Sequence, residues 1–256
     1  MGSHPKKLPI DVAQITQALP DKKFRKREVD PSYCLAHATR GVAGGNQWLG
    51  TINWFVSNTN GEWNWGPSAD GLVGADGRLC VFTDWYTERA NWSAGYGASS
   101  GTTFGADEHG ISIEFAQSAA LEDYTQAQIE TAARIAVFLN EEWGVPFKQL
   151  AYLNQRRDLP ISKGWVGHEH TANGVKTVKS DPGSKFPYSK IFARAQELIT
   201  PSKPSSTLSP ALNPSDPLFW SAMFDAVGNV PSGLGSHERL PVTRNGYGDY
   251  LFRIKI

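Results

Sequence analysis

Residues 110–146 read GISIEFAQSAALEDYTQAQIETAARIAVFLNEEWGVP, and the change of period inside this stretch decides what kind of fold the chain builds. Gly110–Ala116 alternates with a period of two, so Ile111, Ile113 and Phe115 point one way and Ser112 and Glu114 the other. This is a strand with a lone carboxylate on the face opposite three large apolar groups. The period then lengthens: Ile129, Ala132, Ala133, Ala136, Leu139 and Trp143 fall on one stripe at helical spacing. Thr125 is a good N-cap, Gln128 completes a capping box, and Tyr124 and Ile129 are placed for a hydrophobic staple. Gly144 and Pro146 mark the stop, which predicts a helix over Gln126–Trp143.

Working outward, both kinds of element recur. Upstream, Tyr33–Ala38 reads as a strand with Tyr33, Leu35 and His37 on one face. Gly44-Gly45 precedes a predicted helix through Trp48, Ile52 and Phe55, closed by the loop Asn58-Thr59-Asn60-Gly61. Leu72-Val73 and Arg78–Trp85 read as strands flanking the turn Ala75-Asp76-Gly77, a hairpin signal. Nearer the N-terminus, Val12–Leu19 is helix-like, and the basic run Lys22-Lys23-Phe24-Arg25-Lys26-Arg27 reads as a solvated face or, alternatively, as a contact for an acidic polymer. Downstream, Gly164–Gly167 is a short predicted strand running into His168, and Tyr188–Ile199 is a second amphipathic helix. Residues 201–214 are rich in Pro and Ser and read as a linker. Residues 215–256 are too few for a confident core of their own.

Composition narrows the functional classes. With 40% hydrophobic and 20% charged residues in 256, the chain has the profile of a folded protein rather than a disordered one. Its formal net charge of zero gives no global field toward nucleic acid or anionic membrane, so neither is expected as a partner. Nine Trp and eight Tyr serve packing first, and a platform for sugars or peptides second. Cys34 and Cys80 sit in apolar runs, outside any C-x-x-C pair, and are expected as buried thiols. No run approaches the roughly 18 apolar residues of a membrane span. The basic N-terminus leads into no apolar h-region, so no signal peptide is expected.

Six histidines are scattered along the chain, and position relative to the strands picks out two of them. His37 lies at the end of the first predicted strand; His168 follows Gly167 at the end of a late one, in the run Gly167-His168-Glu169-His170. Asp181 follows in Lys179-Ser180-Asp181-Pro182-Gly183. Two imidazoles and a carboxylate leaving a fourth position open is a known way to hold a catalytic zinc. Other patterns are absent: His168-Glu169-His170-Thr171-Ala172 is not H-E-x-x-H, and there is neither a P-loop nor a G-x-S-x-G elbow. Taken singly, each residue has a plainer reading: His37 as a packed histidine, Glu114 as a solvent-facing strand residue, Asp181-Pro182-Gly183 as a turn.

The order of the segments resembles the amidase-2 family of N-acetylmuramoyl-L-alanine amidases, relatives of T7 lysozyme and the peptidoglycan recognition proteins. Cys34-Leu35-Ala36-His37 is similar to its His-terminated strand, and Arg89-Ala90-Asn91-Trp92-Ser93-Ala94-Gly95 to its Ala-Trp-His-Ala-Gly segment, with Ser93 where the family frequently has His. Gly110–Glu114 is similar to its Ser-Ile-Gly-Ile-Glu strand. Gly167-His168 and Lys179–Gly183 resemble its Gly-His and Lys-Thr-Asp-Pro-Gly signatures, with Phe186 where an aromatic is usual. The resemblance covers roughly residues 30–200, between an N-terminal extension over 1–29 and the linker.

The resemblance implies an α/β fold: a central mixed sheet flanked by helices, with zinc at one edge and a small C-terminal appendage. It implies a peptidoglycan amidase in which His37, His168 and Asp181 bind Zn2+, Glu114 is the general base and Lys179 stabilises the oxyanion. Trp92 and Asn91 are implied substrate contacts. The spacing from His168 to Asp181 predicts a small insertion around Asn173–Val178, which leaves His170 as a rival ligand; His168 is favoured because it directly follows Gly167. Rival readings are a non-catalytic peptidoglycan-recognition module and a stem-peptide peptidase. The expected setting is a phage endolysin, held in the host cytoplasm until a holin releases it to the wall; a bacterial amidase is the competing one.

Overall fold

Tyr33–Ala38 (β3) and Gly110–Phe115 (β7) run parallel and in register at the centre of a six-stranded sheet in the computed structural model, which describes residues 2–40, 47–57, 67–91, 93–94, 102–117 and 123–200. Every residue of β3 is buried, because both faces of the sheet are covered. The remaining strands are Gln14–Thr16 (β1), Gly71–Val73 (β4), Leu79–Val81 (β5) and Gly164–Gly167 (β8), in the spatial order β1-β5-β4-β7-β3-β8. Only the β4–β5 hairpin is antiparallel; the other pairings in this sheet are parallel. Phe24–Lys26 (β2) and Glu88–Ala90 (β6) form a separate antiparallel ribbon. The expected mixed α/β architecture is therefore present.

Alternation sorts the strand side chains onto two faces. On one, Cys34, Ala36, Ile111, Ile113, Phe115 and Trp165 pack against the helices Gln126–Trp143 (α2) and Tyr188–Ile199 (α4). The helical stripe meeting this face includes Ala132, Ala133 and Ala136, whose small side chains let α2 lie close to the sheet. The capping box forms as predicted: Thr125 Oγ1 accepts from Gln128 N–H at 3.1 Å, and the Gln128 side chain accepts from Thr125 N–H at 3.1 Å. Gln128 also donates to the Ala116 carbonyl at 2.9 Å, which fixes the start of α2 to the end of β7.

The opposite face is closed in two patches. Gln47–Val56 (α1) lays Trp48, Ile52 and Phe55 over Leu72 and Cys80. Loop residues, among them Phe104, Leu150 and Leu153, cover Tyr33, Leu35 and Val166. Cys34 and Cys80 are buried free thiols, as expected. Among the described residues no helix is long and apolar enough to cross a membrane.

Three sequence expectations are revised here. Val12–Leu19 is not helical; Gln14–Thr16 pairs with β5 as the sheet's outermost strand. Val12 packs with the α2–α4 side of the sheet and Leu19 with the α1 side, so their seven-residue spacing marks a chain passing the sheet edge rather than one helical stripe. The basic run is not a uniformly solvated face either. Lys23 is buried, and its Nζ donates to the carbonyls of Trp54 and Phe55 at 3.1 and 3.0 Å, capping the C-terminal end of α1 with a cation. Arg27 is buried too, donating to Glu88 and Gly110 carbonyls at 3.2 Å and lying 4.0 Å from Asp70. Asp70 in turn accepts from Thr83 Oγ1, Ala90 N–H and Ser112 N–H at 2.7, 2.7 and 2.8 Å. The predicted strand Arg78–Trp85 is shorter than read, ending at Val81.

Lys23→Ala removes both carbonyl partners from the end of α1 and is expected to cost about 1–3 kcal/mol of unfolding free energy. Exposed Lys26→Ala should stay within about 0.5 kcal/mol of the parent. Urea titration of the two variants checks the contrast.

Candidate metal centre

His37 and Asp181, 144 residues apart in sequence, meet beyond the C-terminal ends of β3 and β8. In open α/β sheets that end, where loops replace hydrogen-bonded strand, is where functional groups converge. His37 is the penultimate residue of β3 and pairs in register with Glu114 on β7. Registered residues on neighbouring parallel strands leave the same face, so the imidazole and the carboxylate emerge side by side. His168 opens a single 3-10 turn, His168–His170, directly after β8. Asp181 lies in the loop that leads to α4.

Asp181 Oδ2 lies 3.1 Å from His37 Nδ1 and 3.2 Å from His168 Nδ1. Ligand atoms from the three residues all fall within 4.8 Å of one another. Atoms about 2.0–2.1 Å from a tetrahedral zinc would stand about 3.3 Å apart, close to the two distances from Asp181 Oδ2. The donor set fits as well. Burial lowers the His37 pKa, which favours the neutral imidazole a metal needs. Burial works to raise Asp181, but the hydrogen bonds from His168 and His37 overcome it and hold the carboxyl well below the ordinary range. Two buried imidazoles and an ionised carboxylate form a cluster that can hold a metal ion.

Glu114 stands beside this cluster with Oε2 buried and without a hydrogen-bond partner among the described residues. Burial, reinforced by the Asp181 charge and opposed by that of Lys179, pushes its carboxyl up to about 8. Lys179 itself is exposed, on the two-residue approach to Asp181, and its positive charge acts on both Glu114 and His37.

The structure brings together His37, His168 and Asp181 and places Glu114 and Lys179 around them. His170 stays outside the cluster, its Nδ1 3.9 Å from Glu169 Oε1. The extra residues between His168 and Asp181 form a short helix, Ala172–Lys176 (α3), capped by Thr171 Oγ1, which accepts from Gly174 N–H and donates to the His168 carbonyl at 2.9 Å each. Asn91 is engaged elsewhere: its side-chain amide donates to the Lys22 carbonyl at 3.0 Å, holding the segment that leads into β2. Trp92 lies outside the described residues. Ser93, where the related segment often has His, is hydrogen-bonded to buried Asp107.

The sequence reading missed Arg40, Tyr124 and Glu169, all three of which bond the loop carrying Asp181. The signals available were the position of Arg40 three residues after His37 and that of Glu169 directly after His168.

No curated protein sequence matches the chain. Among solved structures, a selenomethionine derivative of AmpD shares 19% identity, covering 72% of this chain and 94% of its own, with a TM-score of 0.46. A mutant endolysin from Bacillus subtilis shares 16% over 72% of this chain and 99% of its own, with a TM-score of 0.45. A complex of the peptidoglycan recognition proteins LCa and LCx with tracheal cytotoxin shares 15% over 68% and 92%, with a TM-score of 0.44. Family membership rests instead on sequence: the Amidase_2 family, N-acetylmuramoyl-L-alanine amidase, matches residues 27–184, more than half of the 256 present. That match spans His37, Glu114, His168, Lys179 and Asp181, and the chain belongs to the N-acetylmuramoyl-L-alanine amidase family.

Proposed function

We propose that this amidase cleaves the bond between N-acetylmuramic acid and the L-alanine of the stem peptide with the help of a zinc ion held by His37, His168 and Asp181. The observation that supports this reading best is the convergence of those three ligand atoms within 4.8 Å, with Glu114 paired in register to the first of them. Zinc bound there would polarise the scissile carbonyl and lower the pKa of water to about 7.

The chain's own groups divide the remaining work. Glu114 takes a proton from the attacking water as its oxygen bonds to the carbonyl carbon, then delivers a proton to the alanine nitrogen as the C–N bond breaks. Its buried oxygen, which has no hydrogen-bond partner among the described residues, suits a group that must accept and release a proton. Lys179 offers an ammonium to the oxyanion of the tetrahedral intermediate, and the neighbouring Asp181 fixes the loop on which it sits. A lytic setting completes the proposal: the enzyme stays in a host cytoplasm until the membrane is breached and then degrades the wall.

Glu114→Gln should retain zinc while losing about 100- to 10,000-fold in turnover. Asp181→Ala should lose the metal itself, so metal analysis beside activity separates the two roles. Near-full hydrolysis by the glutamine variant would remove Glu114 from the mechanism. Lys179→Ala is expected to keep zinc and fall on the order of 100-fold in turnover.

Mass spectrometry of peptidoglycan digests, with and without a chelator, tests the bond itself. Free stem peptides with an L-alanine amino terminus, seen only with metal, are the expected products. Fragments cut within the peptide would make the chain a peptidase, and tight wall binding without products would make it a recognition module. For the lytic setting, cells expressing the protein should clear only when their membrane is permeabilised, which culture turbidity reads directly.

A further inference from the structure

The loop that presents Asp181 is tied by its backbone at three successive carbonyls. Arg40 Nη2 donates to the Ser180 carbonyl at 2.9 Å and to the Pro182 carbonyl at 3.4 Å, straddling Asp181. Tyr124 Oη donates to the same Pro182 carbonyl at 2.8 Å. The Asp181 carbonyl accepts from Glu169 N–H at 3.0 Å. The three anchors come from three places: Arg40 three residues past His37, Glu169 next to His168, and Tyr124 just before α2.

Two backbone features accommodate the arginine. Arg40 has φ 43°, in the left-handed region that a residue with a β-carbon seldom adopts. Gly183 has φ 92°, and a β-carbon there would collide with the Arg40 guanidinium. The side chain also lines a cavity of about 280 Å3 with Glu169, Ser184 and Lys185, so it is not part of the apolar core.

We propose that Arg40 is a positioning residue for Asp181, joining the loop after His37 to the loop that carries the third ligand so that the centre is set before metal arrives. The inference rests on the zinc reading above. Without Arg40 two carbonyls beside Asp181 lose their donor, and the carboxylate samples a wider range before it can ligate. Both bonds leave the single Nη2 nitrogen, which a planar guanidinium presents in a fixed orientation, whereas a lysine ammonium would have to hold the same point from a flexible four-carbon stem.

The test is zinc affinity by chelator competition, alongside melting of the metal-free protein. Arg40→Ala should weaken zinc binding about 10- to 100-fold, the range typical of groups that orient ligands. Its metal-free melting temperature should stay near that of the parent, and its KM for a soluble muramoyl peptide should be unchanged at saturating zinc. Arg40→Lys should fall between the two. Tyr124→Phe, which removes one hydroxyl and keeps the ring, should weaken zinc in the same direction but less, and it decides the matter if the alanine variant does not fold. Zinc affinity within twofold of the parent in Arg40→Ala, or in Tyr124→Phe where that variant decides, overturns the proposal while leaving the amidase reading intact. So does a loss of affinity in Arg40→Ala that merely follows a large drop in metal-free melting temperature. A parent protein that binds no zinc removes the zinc reading and this inference together.

Discussion

The in-register parallel pairing of β3 with β7 on one side and β8 on the other is the constraint on which the site depends. It sets His37 against Glu114 and brings the end of β8 level with Ala36, so that His168 emerges one step beyond. A slip of one residue would turn His37 toward α2 and α4 and bring Ala36 or Ala38 to the site face. The slip is opposed by burial, because it would also exchange Leu35 and Tyr33 with Cys34 and Ala36 between two differently shaped covers. The same apolar packing that stabilises the sheet therefore holds the chemistry in place.

Electrostatics inside this frame run in opposite directions over a few ångströms. Asp181 faces two imidazoles and is held ionised; Glu114 is buried, feels the Asp181 charge and is pushed toward its neutral form. The two carboxyls are given distinct characters by their surroundings.

Much of this could be read from the chain beforehand, and the physical reason is locality. The strand Gly110–Phe115, the helix Gln126–Trp143 and the Thr125–Gln128 capping box are specified by residues within a few positions of each other, so period and cap chemistry sufficed. The faces of His37 and Glu114 followed from strand alternation once the strands were recognised. What was not legible depends on partners far away. Lys23 and Arg27 look like ordinary surface cations until the end of α1 and the Asp70 network are in place. Gln14–Thr16 becomes a strand only because β5 offers it an edge, and Arg40 acquires its role from carbonyls some 140 residues downstream.

The sheet's margins carry a further consequence. On one side β1 presents only three residues; on the other, β8 is flanked by a parallel bridge between Gln149 and Trp165, with Leu150 N–H bonded to the Trp165 carbonyl and Trp165 N–H to the Lys148 carbonyl. A row of unpaired backbone groups is the usual template on which one protein copy recruits another into an aggregate. Here, among the described residues, one margin is brief and the other is partly paired at Trp165, which shortens the free edge that a second copy could join.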